Sequence, residues 1–343
     1  MRFPVNGAPH LPPAQRVNQL MGQDILALLP AIAAHWWFFG WGILIQIGLA
    51  CLFALGFEWI MLRLRQRRAR LFLTDGSALV TAVLFALCLP PLSPWWVSAT
   101  GMLFAVVVAK HLYGGLGYNL FNPAMVGLAA VIIAFPIELS QWLAPRGLVD
   151  APPDLLESLL AVMRASAPET LRWDAITTAT PLDRLRTGLQ EQRLISEIDS
   201  HPVFGAVAGR GWDWIGLAIL LGGLWLAWRR VISWHVPAAV IVTTLAVTLP
   251  LWLVAPDLHP GPLQQLFSGG LLLGAFFIAT DPVSGSATPR GKLLFGVGVA
   301  LLTLAIRRWG GFPDGVAFAV LLMNMLVPLV DRYTRPRVYG YAR

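Results

Sequence analysis

Five charged side chains stand in or beside the most apolar stretches of this sequence: Glu58, Asp75, Lys110, Asp281 and Asp314. A charge kept in apolar surroundings is costly, and its usual work is to line an ion path, relay a proton or hold a counter-charge. Asp75 and Asp281 sit at or near points where an apolar run breaks off. That makes them candidates to contact a ligand or an ion; the plainer alternative is that they cap helix ends. Glu58 lies near the end of an apolar run, above the arginines that follow it, and is expected to snorkel there. A second group is a row of hydroxyls behind a carboxylate, Asp174-Ala175-Ile176-Thr177-Thr178-Ala179-Thr180, followed by Pro181. A threonine hydroxyl can carry an ester, although by composition alone this is an ordinary loop.

Residue types that often hold metals do not gather. Cys51 and Cys88 fall inside apolar runs, as small core residues do, and an iron–sulfur cluster usually takes four thiolates. The histidines, His10, His35, His111, His201, His235 and His259, lack metal-ligand spacing. With no dinucleotide fingerprint and no phosphate loop, any redox role must be shared with partner chains.

What positions these residues is a membrane. A mean hydropathy of +0.66, with 57% hydrophobic and 13% charged residues, leaves too little polar surface to cover a soluble fold. Ten apolar segments lie near 24–41, 43–62, 72–90, 95–110, 118–136, 213–228, 234–254, 266–281, 292–306 and 315–331. Their lengths approach what a bilayer-crossing helix needs. The expected fold is all-α and integral to the membrane, with about ten transmembrane helices facing lipid. Met1–Gln23 has no short apolar core ahead of a small-residue cleavage site, so the first segment is expected to stay as an anchor. If the N-terminus is cytoplasmic, the inner loops carry Arg63, Arg65, Arg67, Arg68, Arg70, Lys110, Arg229, Arg230, Arg290 and Lys292, and the tail adds Arg332, Arg335, Arg337 and Arg343. The positive-inside rule then places both termini in the cytoplasm, and it explains the net charge of +7 without nucleic acid. Arg307 and Arg308 are the exception.

One long polar insertion, about Glu138–Gly211, holds most of the acidic residues. Within it, Leu155–Met163 and Leu182–Ile195 are expected to form short amphipathic helices on the membrane surface. Residues 1–136 are then a first five-helix repeat, 137–212 an extracytoplasmic loop, and 213–343 a second repeat with a tail. Gly114-Gly115 in the first half is echoed by Gly310-Gly311 in the second. An odd helix count inverts one half relative to the other. It makes Arg307 and Arg308 the partners of Lys110 and His111, on the opposite face. The third and eighth segments break alike, at Leu89-Pro90-Pro91 and Thr280-Asp281-Pro282. Paired breaks point to a site between repeats, where these two are expected to face each other. Trp36-Trp37-Phe38-Phe39 and Trp95-Trp96 are expected at the membrane interfaces.

Several stretches carry a family resemblance: Ala27-Leu28-Leu29-Pro30, Phe39-Gly40-Trp41-Gly42, the glycine- and asparagine-rich run from Gly114 to Gly127, Ala279-Thr280-Asp281-Pro282-Val283-Ser284, and the run from Gly310 to Asn324. In this order, and over nearly the whole chain, they resemble the RnfD family of Rnf-type electron-transport complexes and its NqrB relatives in the sodium-pumping Nqr complex. In that family an FMN is joined by a phosphoester to a threonine in a motif Asp-x-x-Ser/Thr-Gly-Ala-Thr. The resemblance implies covalent FMN on Thr180, with Asp174, Thr177, Thr178 and Ala179 as the attachment motif. The chain departs from the motif at Thr178, where the family has glycine, and this leaves Thr177 and Thr178 as rival acceptors.

The same resemblance implies a member of an ion-translocating oxidoreductase complex, a translocase component inactive on its own, that links ferredoxin and NAD in a bacterial inner membrane. Its partners would be the other membrane and peripheral subunits and an FMN-attaching enzyme. It leaves room for a second, non-covalent flavin such as riboflavin, or for an ion path, with Asp281, Asp75 and Asn122 as the residues concerned. A transporter or channel without redox activity would suit an inverted repeat equally well. Flavin fluorescence of the denatured chain separates the two.

Overall fold

The computed structural model describes residues 17–67, 69–149, 152–164, 176–312 and 314–336. Among these the regular structure is helical, with only two isolated β-bridges. The chain is an all-α integral membrane protein. The reason lies in the sequence: long apolar runs satisfy their backbone groups internally when helical, as a lipid environment demands.

The first half comprises α1 (Val17–Phe39), α2 (Gly42–Leu64), α3 (Ser77–Ala86), α4 (Trp95–Met102, continued as a π-helix over Leu103–His111) and α5 (Pro123–Ala134). The loop between the halves contributes α6 (Leu155–Arg164) and α7 (Pro181–Gln190). The second half has α8 (Trp212–Trp228), α9 (His235–Val254), α10 (Pro262–Phe267), a further helical piece over Leu271–Ile278, α11 (Pro289–Trp309) and α12 (Val316–Thr334). Of these, α2, α9, α11 and α12 are each long and apolar enough to cross a membrane. Helix is found in each segment expected from the sequence, but the first starts seven residues earlier, at Val17, the third is shorter, at Ser77–Ala86, and the eighth is split into two pieces.

The third and eighth segments are the short ones. At 1.5 Å per residue α3 covers about 15 Å, roughly half a hydrocarbon core. Leu87–Pro94 follows as turns, and its buried backbone needs partners. Gln46 of α2 donates from Nε2 to the Ser93 carbonyl and accepts from Ser98 Oγ at 2.7 Å. The eighth segment, expected as one run over 266–281, is broken at Ser268–Gly270 between α10 and Leu271, where Ser-Gly-Gly is itself a turn signal. Gly269 has φ +64° there, and a Cβ on it would lie 2.5 Å from Leu182 and 2.6 Å from Asp314. Only glycine fits this turn without strain.

Helix α1 packs on α8, α9 on α11, α11 on α12, and α5 on α12, around one continuous apolar core. Asn122 is a joint between the halves. Its side chain caps α5 through Met125 N (3.2 Å) and donates to the Ile278 carbonyl (3.2 Å), while its backbone N–H donates to Asn324 (3.1 Å).

Glu58 does not snorkel. It is buried, 2.8 Å from Lys110 Nζ and 3.3 Å from His111 Nε2. The expectation failed because position along a helix does not show what a distant segment supplies. Here Lys110 brings a compensating charge into the interior, and the carboxylate gains more from that pair than from reaching water.

Candidate functional site

Where the loop meets the helix bundle, the two halves part around a cavity of about 350 Å³. That lies in the range of small-molecule sites, about 300–1,000 Å³. Its walls come from α1 (Ala31, His35), the turn after α3 (Leu87, Cys88), α5, the Ser268–Gly270 break and the start of α12, with α7 closing the loop side. Thr180 stands at this closing edge.

The local sequence explains why Thr180 is there. Thr177 pairs with Leu143 in an isolated antiparallel bridge, with Thr178 N donating to the Trp142 carbonyl (2.9 Å) and Ala144 N to the Ile176 carbonyl (2.8 Å). Pro181 then opens α7, and Thr180 is its N-cap. The Thr180 hydroxyl donates to Asp183 Oδ2 (2.9 Å) and accepts from Asp183 N (3.2 Å). Burial pushes the Asp183 carboxyl above its ordinary value, opposed by the Thr180 hydrogen bonds and by the charge of Arg186.

Thr178, where glycine was the expected residue, sits in backbone territory open to any side chain. Among the described residues with positive φ, only Gln66, Gln192 and Arg230 are not glycine. The rival hydroxyls of Thr177 and Thr178 are half-buried and not part of the cavity wall, and Ala179 is exposed. Asp174 lies outside the described residues.

Three residues that line the cavity, His35, Ser268 and Arg186, each also carry one polar atom sealed in the packing without a protein partner: Nε2, Oγ and Nε. Each costs about 1–3 kcal/mol if left so, and they come from three separate elements. Around them stand Trp142, Trp212 and Phe312, with Trp142 and Trp212 tilted at 5.0 Å between centroids. Aromatic walls beside polar lining residues suit a flat heterocycle with a polar edge.

The family described as NQR2, RnfD, RnfE matches residues 4–340. The chain belongs to that family. It is 47% identical over 348 residues to a protein of Aeromonas salmonicida, covering 99% of both chains. It is 45% identical over 352 residues to one of Escherichia coli, covering 100% of both. A protein of Citrobacter koseri is 44% identical over 349 residues, with 99% of this chain and all of the relative covered. All three are named as the D component of an ion-translocating oxidoreductase complex.

The other residues singled out in the sequence fall elsewhere. Asp75 accepts from Ser77 N (2.8 Å) and Ser77 Oγ (2.6 Å) at the start of α3, as a cap does. Asp281 accepts from Val283 N (3.1 Å) and Ser284 Oγ (2.7 Å) within its own turn. The turn after Asp281 is tied to α12 by Asn324, which donates to the Ser284 carbonyl at 2.9 Å. The proline breaks were expected to face each other. The residues leading into the two breaks, Leu87 and Cys88 on one side and Ile278 on the other, line one cavity together with the Ser268–Gly270 break, while Pro90, Pro91, Asp281 and Pro282 do not line it.

Asp314 does line the cavity. It accepts from Gly270 N at 2.6 Å and lies 3.3 Å from Arg307. His35, Ser268 and Arg186 are site residues that sequence reasoning missed. For His35 a signal existed: an ionisable residue inside an apolar helix is by default a functional candidate. Ser268 and Arg186 had none, being ordinary polar residues of a break and a loop.

Proposed function

We propose that this chain is the flavin-carrying membrane subunit of an ion-translocating electron-transport complex linking ferredoxin and NAD. In this reading FMN is joined by a phosphoester to Thr180 and its ring lies in the cavity. The observation that carries it is the position of Thr180 in the wall of an aromatic-lined cavity of about 350 Å³. Bound FMN supplies the electron-transfer chemistry, and the protein supplies orientation and electrostatics.

The residues at hand suit that role. The N-terminus of α7 offers backbone N–H groups and a favourable dipole to a phosphate on Thr180. Arg186, one turn and a half further on, adds a positive charge. The elevated Asp183 carboxyl is more easily held neutral beside a phosphate than an ordinary aspartate would be. The partners that follow are the other subunits of the complex, an FMN-attaching enzyme that reaches Thr180 past the small Ala179, and surrounding lipid. The arginine-rich loops favour both termini in the cytoplasm of a bacterial inner membrane, with the 137–212 loop and the flavin on the far side.

Peptide mass mapping of the complex, from cells that also make the attaching enzyme, is expected to find one flavin phosphate on residues 173–184. Thr180→Ala should remove it and leave the fold intact. An unmodified peptide in the parent chain overturns the proposal.

A further inference from the structure

We propose that a cleft beside α6 binds the headgroup of a phospholipid that carries a primary amine next to its phosphate: Arg146 takes the phosphate and Asp154 the ammonium. This cleft shares no residue with the Thr180 cavity, and the site does not depend on what Thr180 carries.

The cleft, about 250 Å³, lies where the end of α1, the α1–α2 turn and the lead into α6 meet, and Trp36, Trp37, Trp41, Arg146, Pro152 and Asp154 line it. Local sequence builds it. Gly40 turns the chain between α1 and α2 at φ +78°, and a Cβ there would lie 2.9 Å from Pro152, so glycine is what lets the lead into α6 seat on the turn. Arg146 N donates to the Phe38 carbonyl at 2.9 Å, which ties the loop to the end of α1. The Arg146 guanidinium then lies over the Trp37 ring, 4.4 Å from its centroid.

The surroundings are those of a lipid leaflet. Helix α6 buries Ser158, Ala161 and Val162 and packs on α2. Its outer face presents Leu155, Leu156, Leu159 and Met163, which are 51%, 62%, 42% and 50% exposed. Large apolar side chains along one face of a short helix belong at the boundary between headgroups and acyl chains. Trp36, Trp37 and Trp41 are exposed beside it, and tryptophan is a residue of that same boundary.

The chemistry follows from the two charges. Stacking on Trp37 occupies one face of the guanidinium and leaves its in-plane N–H donors, the ones that match a phosphate. No ion pair with a described residue claims them. Asp154 accepts from Glu157 N through Oδ1 at 2.7 Å, which leaves its other oxygen for a ligand. Opposite charges thus line one cleft without pairing with each other. A headgroup bearing both phosphate and ammonium answers both. A headgroup with phosphate alone meets Arg146 but is disfavoured by Asp154, because like charges across an interface select against a partner.

The test is native mass spectrometry of the complex purified from membranes, stripped of lipid and titrated with phosphatidylethanolamine, phosphatidylglycerol or inorganic phosphate. The parent should retain one more phosphatidylethanolamine than Arg146→Gln, whose affinity at this site should fall about tenfold, the loss of one charge-assisted contact. Asp154→Asn, which still caps α6, should keep phospholipid and lose the preference for phosphatidylethanolamine over phosphatidylglycerol. Inorganic phosphate should not displace the lipid. The same spectra report whether each variant assembles, and if Arg146→Gln does not, Asp154→Asn decides. Equal retention by the parent and Arg146→Gln overturns the site. Equal binding of the two lipids by the parent, or an unchanged preference in Asp154→Asn, overturns the match to an amine-bearing headgroup. Displacement by inorganic phosphate would make this a free-anion site and overturn the proposal likewise.

Discussion

Lys110 and Arg307 end the fourth helix of each half, at positions the repeat expectation pairs, yet they are used differently. Lys110 is sealed, with Nζ contacting both Glu58 oxygens (2.8 and 3.0 Å) and Ser77 Oγ (2.8 Å), so all three of its donors are matched by side chains. Arg307 divides its fork between backbone carbonyls and the side chains of Gln265 and Asp314. It donates to the Gln265 carbonyl (2.6 Å) and the Ser268 carbonyl (2.8 Å), on the two sides of the end of α10. Its carboxylate partner Asp314 is 31% exposed and faces the cavity. One cation closes its half; the other holds open the break that forms the site. A lysine is enough to compensate a single buried carboxylate. Holding several carbonyls at once calls for the planar fork of arginine.

The strongest test of this contrast is Glu58→Ala, which strands Lys110 in the interior. Removing one member of a buried pair costs about 3–5 kcal/mol, so folded yield in detergent and the thermal midpoint should drop sharply. The double replacement Glu58→Leu with Lys110→Met should regain most of the loss. A single variant as stable as the parent would show that Glu58 reaches water after all.

Arg307→Lys should be milder, about 1–3 kcal/mol for the carbonyls it leaves unpaired. Its effect should also be local. Hydrogen exchange should accelerate at Gln265–Gly270 before the bundle as a whole loosens. Uniform loosening of the bundle would mean that Arg307, like Lys110, is part of a global seal.

The smallest effect lies in the loop, at Asp183. Burial raises its folded-state pKa above the ordinary 3.8. Its protonated form is therefore favoured on folding, and that contribution is present below pH 3.8 and lost as pH rises through the folded value. Exchange at α7 amides should accelerate modestly over that window, and Asp183→Asn should flatten the profile. A slope that persists in Asp183→Asn would move the pH sensitivity to another group.

The membrane class, the apolar segments and the hydroxyl row that ends at Thr180 were legible in the order of residues alone. These are properties of runs and local order: apolar length sets a helix in lipid, and proline after threonine sets an N-cap. Which charges are paired and where the cavity lies depend on contacts between distant segments. Glu58 and Lys110 are 52 positions apart, and His35, Arg186 and Ser268 sit on three elements with no common spacing. Their convergence is fixed by how α1, α7 and the Ser268–Gly270 break pack together. A buried polar atom without a partner exists only once that packing has excluded water from it.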